Sequence, residues 1–103
     1  MLNKWFVIVN PTSGNGAAKK NWSKIYDELN SQQFVFEYYF TKYDKHSIIL
    51  IQKAIAQGFT KFISVGGDGT LHNIVNGILA LNPENILAIK IGVIPIGTGN
   101  DWI

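Results

Sequence analysis

The sequence predicts an α/β fold, a parallel sheet with helices on both faces. Three observations carry this. Short apolar runs rich in β-branched residues recur along the chain, segments of helical periodicity lie between them, and glycine-rich stretches stand where a run gives way to a helix. Runs that are apolar on successive residues suit strands covered on both faces, whereas a strand with one face in water would alternate.

The first run, Phe6-Val7-Ile8-Val9, closes at Asn10-Pro11. After a polar loop from Thr12 to Asn15, Ala18, Trp22, Ile25 and Leu29 recur at helical spacing and form one apolar stripe on a helix of about three turns. Phe34 to Phe40, dense in aromatics, reads as the second strand, which Thr41 ends. Ile48, Ile51 and Ile55, with Leu50 and Ala54 beside them, give a second helix that Gly58 can terminate. The third strand, Lys61 to Val65, runs into Gly66-Gly67-Asp68-Gly69-Thr70. Leu71, Ile74, Val75, Ile78 and Leu79 then mark a third helix, which Asn82-Pro83 ends. Ile91 to Ile94 is the fourth strand, followed by Pro95-Ile96-Gly97-Thr98-Gly99-Asn100-Asp101. This alternation is that of a three-layer, Rossmann-like sheet.

The composition bounds the function. With 103 residues, 47% of them hydrophobic and 16% charged, the sequence is suited to one folded domain. A net charge of +2 is too small for a nucleic-acid or anionic-membrane footprint. The absence of cysteine excludes disulfides, a thiolate nucleophile and cysteine-type zinc sites, and fits a cytoplasmic protein. The apolar run at the N-terminus is too short to span a membrane and carries no cleavage pattern.

In a parallel sheet the loops that leave strand C-termini emerge on one edge, where open α/β folds bind ligands. Here these are Asn10 to Gly16, Thr41 to His46, Gly66 to Thr70 and Gly97 to Asp101. The third is the sharpest. Glycines let backbone N–H groups approach a ligand, and a helix N-terminus attracts phosphate. A plainer account is an Asp-Gly turn with Thr70 as N-cap, but three glycines and an acid at a strand-to-helix junction favour a phosphate cradle. Asp68 would repel phosphate unless it holds a metal ion or turns its carboxylate onto backbone N–H groups, so a functional Asp68 implies Mg²⁺.

No Walker A motif is present, and Lys19 stands where a dinucleotide fingerprint starting at Gly14 needs its third glycine. His46 and His72 read as capping or surface residues, since neither has a carboxylate partner in sequence. Trp5 and Trp22 read as packing residues, and Trp102 has no assigned role.

Asn10-Pro11-Thr12-Ser13-Gly14, Thr41, Gly66-Gly67-Asp68-Gly69-Thr70 and the Pro95 to Asp101 block, in this order, resemble the catalytic domain of diacylglycerol kinases, sphingosine kinases and bacterial lipid kinases. The resemblance covers almost the whole chain. It implies ATP- and Mg²⁺-dependent phosphorylation of a lipid hydroxyl, such as that of diacylglycerol. Nucleotide contacts would fall at Asn10, Pro11, Thr12, Ser13 and Gly14, at Thr41, and at Gly66, Gly67, Asp68, Gly69, Thr70, Leu71, His72 and Asn73. Gly97, Thr98 and Asn100 would complete them. Asp68 would be catalytic, assisting phosphate and Mg²⁺ placement, and no residue is assigned as a dedicated protein ligand of a metal.

Two departures matter. Asn73 stands where the family usually has an acid, at a position expected to close a capping box with Thr70. In the family a second, mostly β domain follows, with the lipid pocket and the general base. The resemblance therefore implies that residues 1–103 are the N-terminal nucleotide-binding domain, inactive alone, while peripheral membrane contact and homo-oligomer formation stay open. Gly66-Gly67-Asp68-Gly69 is also similar to the signature of NAD kinases, and a non-catalytic nucleotide-binding module is a further alternative. The Asn10-Pro11 and Gly97-Thr98-Gly99-Asn100-Asp101 blocks favour the lipid branch.

Overall fold

The computed structural model describes residues 3–96. In chain order they form β1 (Trp5–Val9), α1 (Ser13–Ser31), β2 (Phe36–Phe40), α2 (His46–Ala56), β3 (Lys61–Gly66), α3 (Asp68–Leu81) and β4 (Lys90–Pro95), with a short 3-10 turn at Ile86–Ala88 before β4. Neighbouring strands all pair in parallel, in the order β2-β1-β3-β4. Among the described residues no helix is long and apolar enough to cross a membrane.

Alternation within the two central strands sorts their side chains onto two faces. Val7, Val9, Ile63 and Val65 meet the α1 stripe of Ala18, Trp22, Ile25 and Leu29. On the opposite face Phe6, Ile8 and Phe62 meet Ile51 and Ala54 of α2 and Ile74 and Ile78 of α3. Each fully buried side chain of this size contributes roughly 1.5–3 kcal/mol, so β1 and β3 anchor the fold. The hydroxyl of Ser64, at the centre of β3, is fully buried and has no hydrogen-bond partner among the described residues.

Burial on both faces holds for β1 and β3 but not for the edges. Tyr38 and Tyr39 of β2 are each 42% exposed and Val93 of β4 is 46% exposed, because the helices centre on the inner strands. Instead, Tyr38 packs its ring 4.9 Å from Trp22, and Tyr39 stacks 4.9 Å from Phe6. The second strand starts at Phe36 rather than Phe34. Gln33 turns through positive φ (65°) and the Phe34 N–H donates to the Leu29 carbonyl, so residues 33–34 complete the end of α1.

α1 contains a left-handed turn at Gly14, Asn15 and Gly16 (φ 64°, 58° and 90°), so its regular right-handed part begins at Ala17. This is the expected polar loop in compact form, built from residue types that tolerate positive φ. α2 ends as expected, with Gly58 at φ 101° just past its last turn. α3 approaches α2 so closely at Gly77 that a Cβ there would lie 2.6 Å from Ile51 Cγ2.

Candidate functional site

β1 connects to β2 on one side of itself, whereas β3 connects to β4 on the other. The C-terminal ends of β1 and β3 are therefore the point at which the chain reverses its direction of winding, and the loops leaving them diverge around a crevice. A cleft of about 400 Å³ lies there. Its walls are Asn10, Thr12 and Ser13 after β1, Gly67, Gly69, Thr70 and Asn73 at the start of α3, and Thr41 to Ser47 between β2 and α2.

Hydrogen bonds tie these loops together. The Asn10 N–H donates to the Val65 carbonyl (2.9 Å), the Thr41 N–H to the Val9 carbonyl (2.8 Å) and the Ile96 N–H to the Gly66 carbonyl (3.0 Å). Asn10 Oδ1 accepts from the Thr12 N–H (3.2 Å) and hydroxyl (2.9 Å), while Asn10 Nδ2 donates to Thr70 Oγ1 at 3.3 Å. Ser13 Oγ accepts from the Gly67 N–H at 3.3 Å. Gly66 is buried between these groups. A Cβ added to it would lie 2.5 Å from Thr70 Oγ1 and 3.0 Å from Ser13 Oγ, so a hydrogen is all that fits.

The start of α3 corrects one expectation. Gly66 still pairs with Pro95 in the sheet and Gly67 is extended, so the N-cap is Gly67 and the helix begins at Asp68. Thr70 is consequently the third helical residue, 4% exposed and turned toward Asn10, and it forms neither an N-cap nor a capping box with Asn73. Among the described residues no side chain caps α3. A first turn without a cap leaves the N–H groups of Asp68, Gly69 and Thr70 and the positive end of the helix dipole available at the cleft edge.

Of the expected site residues, Asn10, Thr12, Ser13, Thr41, Gly67, Gly69, Thr70 and Asn73 line the cleft. Pro11, Gly14, Gly66 and Leu71 flank or underlie it, and His72 is exposed on α3. Asp68 is exposed at the head of α3, between two lining glycines but outside the lining itself. Gly97, Thr98 and Asn100 lie outside the described residues.

The loop between β2 and α2 contributes more than Thr41. Lys45 adopts positive φ (64°), and His46 Nδ1 accepts from the Lys42 N–H at 3.0 Å. The His46 ring stacks on Tyr43 with centroids 4.4 Å apart. His46 is the first residue of α2 and its ring bonds the loop rather than the helix end, so it does not cap α2. It is a wall of the cleft, as are Lys42, Tyr43, Asp44, Lys45 and Ser47. The sequence signal for them was the position of the loop at the C-terminal edge, with an aromatic and a histidine three residues apart. Among the described residues no group of three or more His, Asp or Glu side chains could hold a metal ion. Among the described residues Asp44 lies at the cleft and Asp68 beside it.

A family model described as the diacylglycerol kinase catalytic domain matches residues 4–103. A diacylglycerol kinase of Staphylococcus carnosus (strain TM300) is 36% identical over 96 residues, which cover 93% of this chain and 30% of that protein. One from Staphylococcus haemolyticus (strain JCSC1435) is 33% identical, over 93% of this chain and 28% of its own length. The crystal structure of a diacylglycerol kinase from Bacillus anthracis str. Sterne is similar with a TM-score of 0.75 and 31% identity, over 96% of this chain and 35% of that one. The chain therefore spans about a third of the length of the proteins it matches.

Proposed function

The chain belongs to the diacylglycerol kinase catalytic domain family, and on that basis we propose that it supplies the ATP-binding part of a kinase that phosphorylates a lipid hydroxyl. The observation that carries this reading is the cleft at the ends of β1 and β3, where the uncapped start of α3 faces hydroxyls from the loop after β1. In this reading, phosphate oxygens accept from the first-turn N–H groups of α3 and from the Thr12 and Ser13 hydroxyls. Thr41 and Asn73 contact the nucleotide from the flanking walls. The resemblance assigns further nucleotide contacts to Gly97, Thr98 and Asn100, which lie outside the described residues.

The donor set fits Mg²⁺ that arrives with ATP rather than a resident ion. Mg²⁺ in such sites takes one or two carboxylates and completes its shell with phosphate oxygens and water, and Asp68 is an exposed carboxylate beside the phosphate cradle. Bound there, Mg²⁺ would neutralise charge on the transferring phosphoryl group. Asp68 would orient it, which is the catalytic role given to this residue.

Phosphoryl transfer depends on positioning the acceptor as much as the donor, by an amount worth several powers of ten. The acceptor pocket and the base belong, in this reading, to the remaining two-thirds of a family member, so the 103-residue chain binds ATP without turning it over. A single-turnover assay with γ-labelled ATP and diacylglycerol in mixed micelles tests this. Label is expected in the lipid with a complete protein carrying this chain and not with the chain alone. Transfer by the purified chain, or its absence from the complete protein, overturns the respective half of the proposal.

A further inference from the structure

The cleft has two chemically different ends. The start of α3 and the loop after β1 offer N–H groups and hydroxyls. The loop between β2 and α2 offers two stacked rings, Tyr43 and His46, with planes inclined by 21°. The His46 ring is pinned, because its Nδ1 accepts the Lys42 N–H at 3.0 Å. An accepting nitrogen carries no proton, so the neutral ring is the tautomer protonated at Nε2 and cannot flip without losing that bond. Tyr43 is 57% exposed, and among the described residues no second ring lies against it.

A phosphate chain gains nothing from a flat ring, whereas a nucleobase gains stacking that tolerates any base. We propose that Tyr43, with His46 as its positioning residue, is the stacking platform for the nucleobase. This rests on the nucleotide reading above and gives the ligand a polarity, phosphates at the start of α3 and base at the loop between β2 and α2. Lys42 and Lys45 border the same loop and would draw phosphates toward it if the ligand lay the other way, so the polarity is open to test.

The test titrates the full chain, followed by ¹H–¹⁵N spectra, with Mg-ATP and separately with magnesium tripolyphosphate, which has no base. Wild type, Tyr43→Ala, Tyr43→Phe and His46→Ala are compared. Loss of a base–aromatic stack corresponds to roughly fivefold or more in Kd. Tyr43→Ala is expected to weaken ATP by that factor and tripolyphosphate by less than about twofold. Tyr43→Phe keeps the ring and stays near wild type, and His46→Ala shows part of the Tyr43→Ala loss, again for ATP only. Unchanged ATP binding in Tyr43→Ala overturns the platform and leaves the nucleotide reading intact. Equal loss of both ligands overturns it too, since the loop would then serve phosphate binding or folding. Tripolyphosphate shifts centred on Lys42 to His46 rather than on Gly67 to Thr70 overturn the polarity. No binding of either ligand by wild type removes both proposals together.

Discussion

Replacing Gly66 with alanine drives a methyl group into the join between the loops after β1 and β3. The added Cβ would stand 2.5 Å from Thr70 Oγ1 and 3.0 Å from both Thr70 Cβ and Ser13 Oγ. Relief by rotating Thr70 is restricted, because a helical threonine has only two favoured χ1 rotamers and this one is buried and accepts from Asn10 Nδ2. The loops must therefore separate. Overpacking of this kind costs about 1–3 kcal/mol, and for a chain of this size each kcal/mol lowers Tm by roughly 4–8 °C. Thermal and urea unfolding followed by circular dichroism should report a loss in that range. The Ser13–Gly67 and Asn10–Thr70 bonds span the same gap, so Mg-ATP affinity should fall as well. In the Gly66→Ala/Thr70→Ala double variant the nearest atom is removed, and the two losses should fall short of additive by at least ~0.5 kcal/mol. A Gly66→Ala protein within about 0.5 kcal/mol of wild type, binding ATP normally, would refute the packing argument.

Three further outcomes follow from the same structure. Ser64→Ala removes a buried hydroxyl that has no partner among the described residues, and unfolding titrations should find it neutral to stabilising by up to ~1 kcal/mol; a loss above ~1 kcal/mol means the hydroxyl is satisfied in solution. The Tyr39 hydroxyl (2.9 Å), and then Lys4 (3.1 Å), hold the Glu37 carboxyl below its ordinary 4.5. The small stability it adds is therefore present above pH 4.5 and lost as pH falls through the depressed value. Tyr39→Phe should shrink that acid-side loss, with an effect at neutral pH below ~1 kcal/mol, and an unchanged stability profile on the acid side speaks against the linkage. In a complete kinase containing this chain, Asp68→Asn should melt near wild type while kcat falls by orders of magnitude. Retention of more than about a third of kcat would remove Asp68 from the catalytic groups.

The inner half of the fold was legible in the sequence because it depends on patterns that local chemistry enforces. Consecutive apolar residues at Phe6 to Val9, and Phe62, Ile63 and Val65 around the small Ser64, become the central strands, and the Trp22, Ile25 and Leu29 stripe becomes the inner face of α1. What the sequence left unread depends on tertiary placement. Within Phe36 to Phe40 only the charge of Glu37 hints at an edge, since aromatic residues suit buried and half-exposed strands alike. Thr70 carries an N-cap residue type, but the pairing of Gly66 with Pro95 moves the helix start two residues ahead of it. The Tyr43–His46 wall needs a positive φ at Lys45, a conformation that lysine does not advertise.

On the proposed function, phosphate recognition occurs where the loops after β1 and β3 diverge. The most direct measurement is a ¹H–¹⁵N titration of the full chain with Mg-ATP to millimolar concentration. Saturating shifts and line broadening are expected to centre on Thr12, Ser13, Gly67, Asp68, Gly69 and Thr70, with a second group at Thr41 to His46. Shifts that centre elsewhere, or none at millimolar ATP, would contradict it.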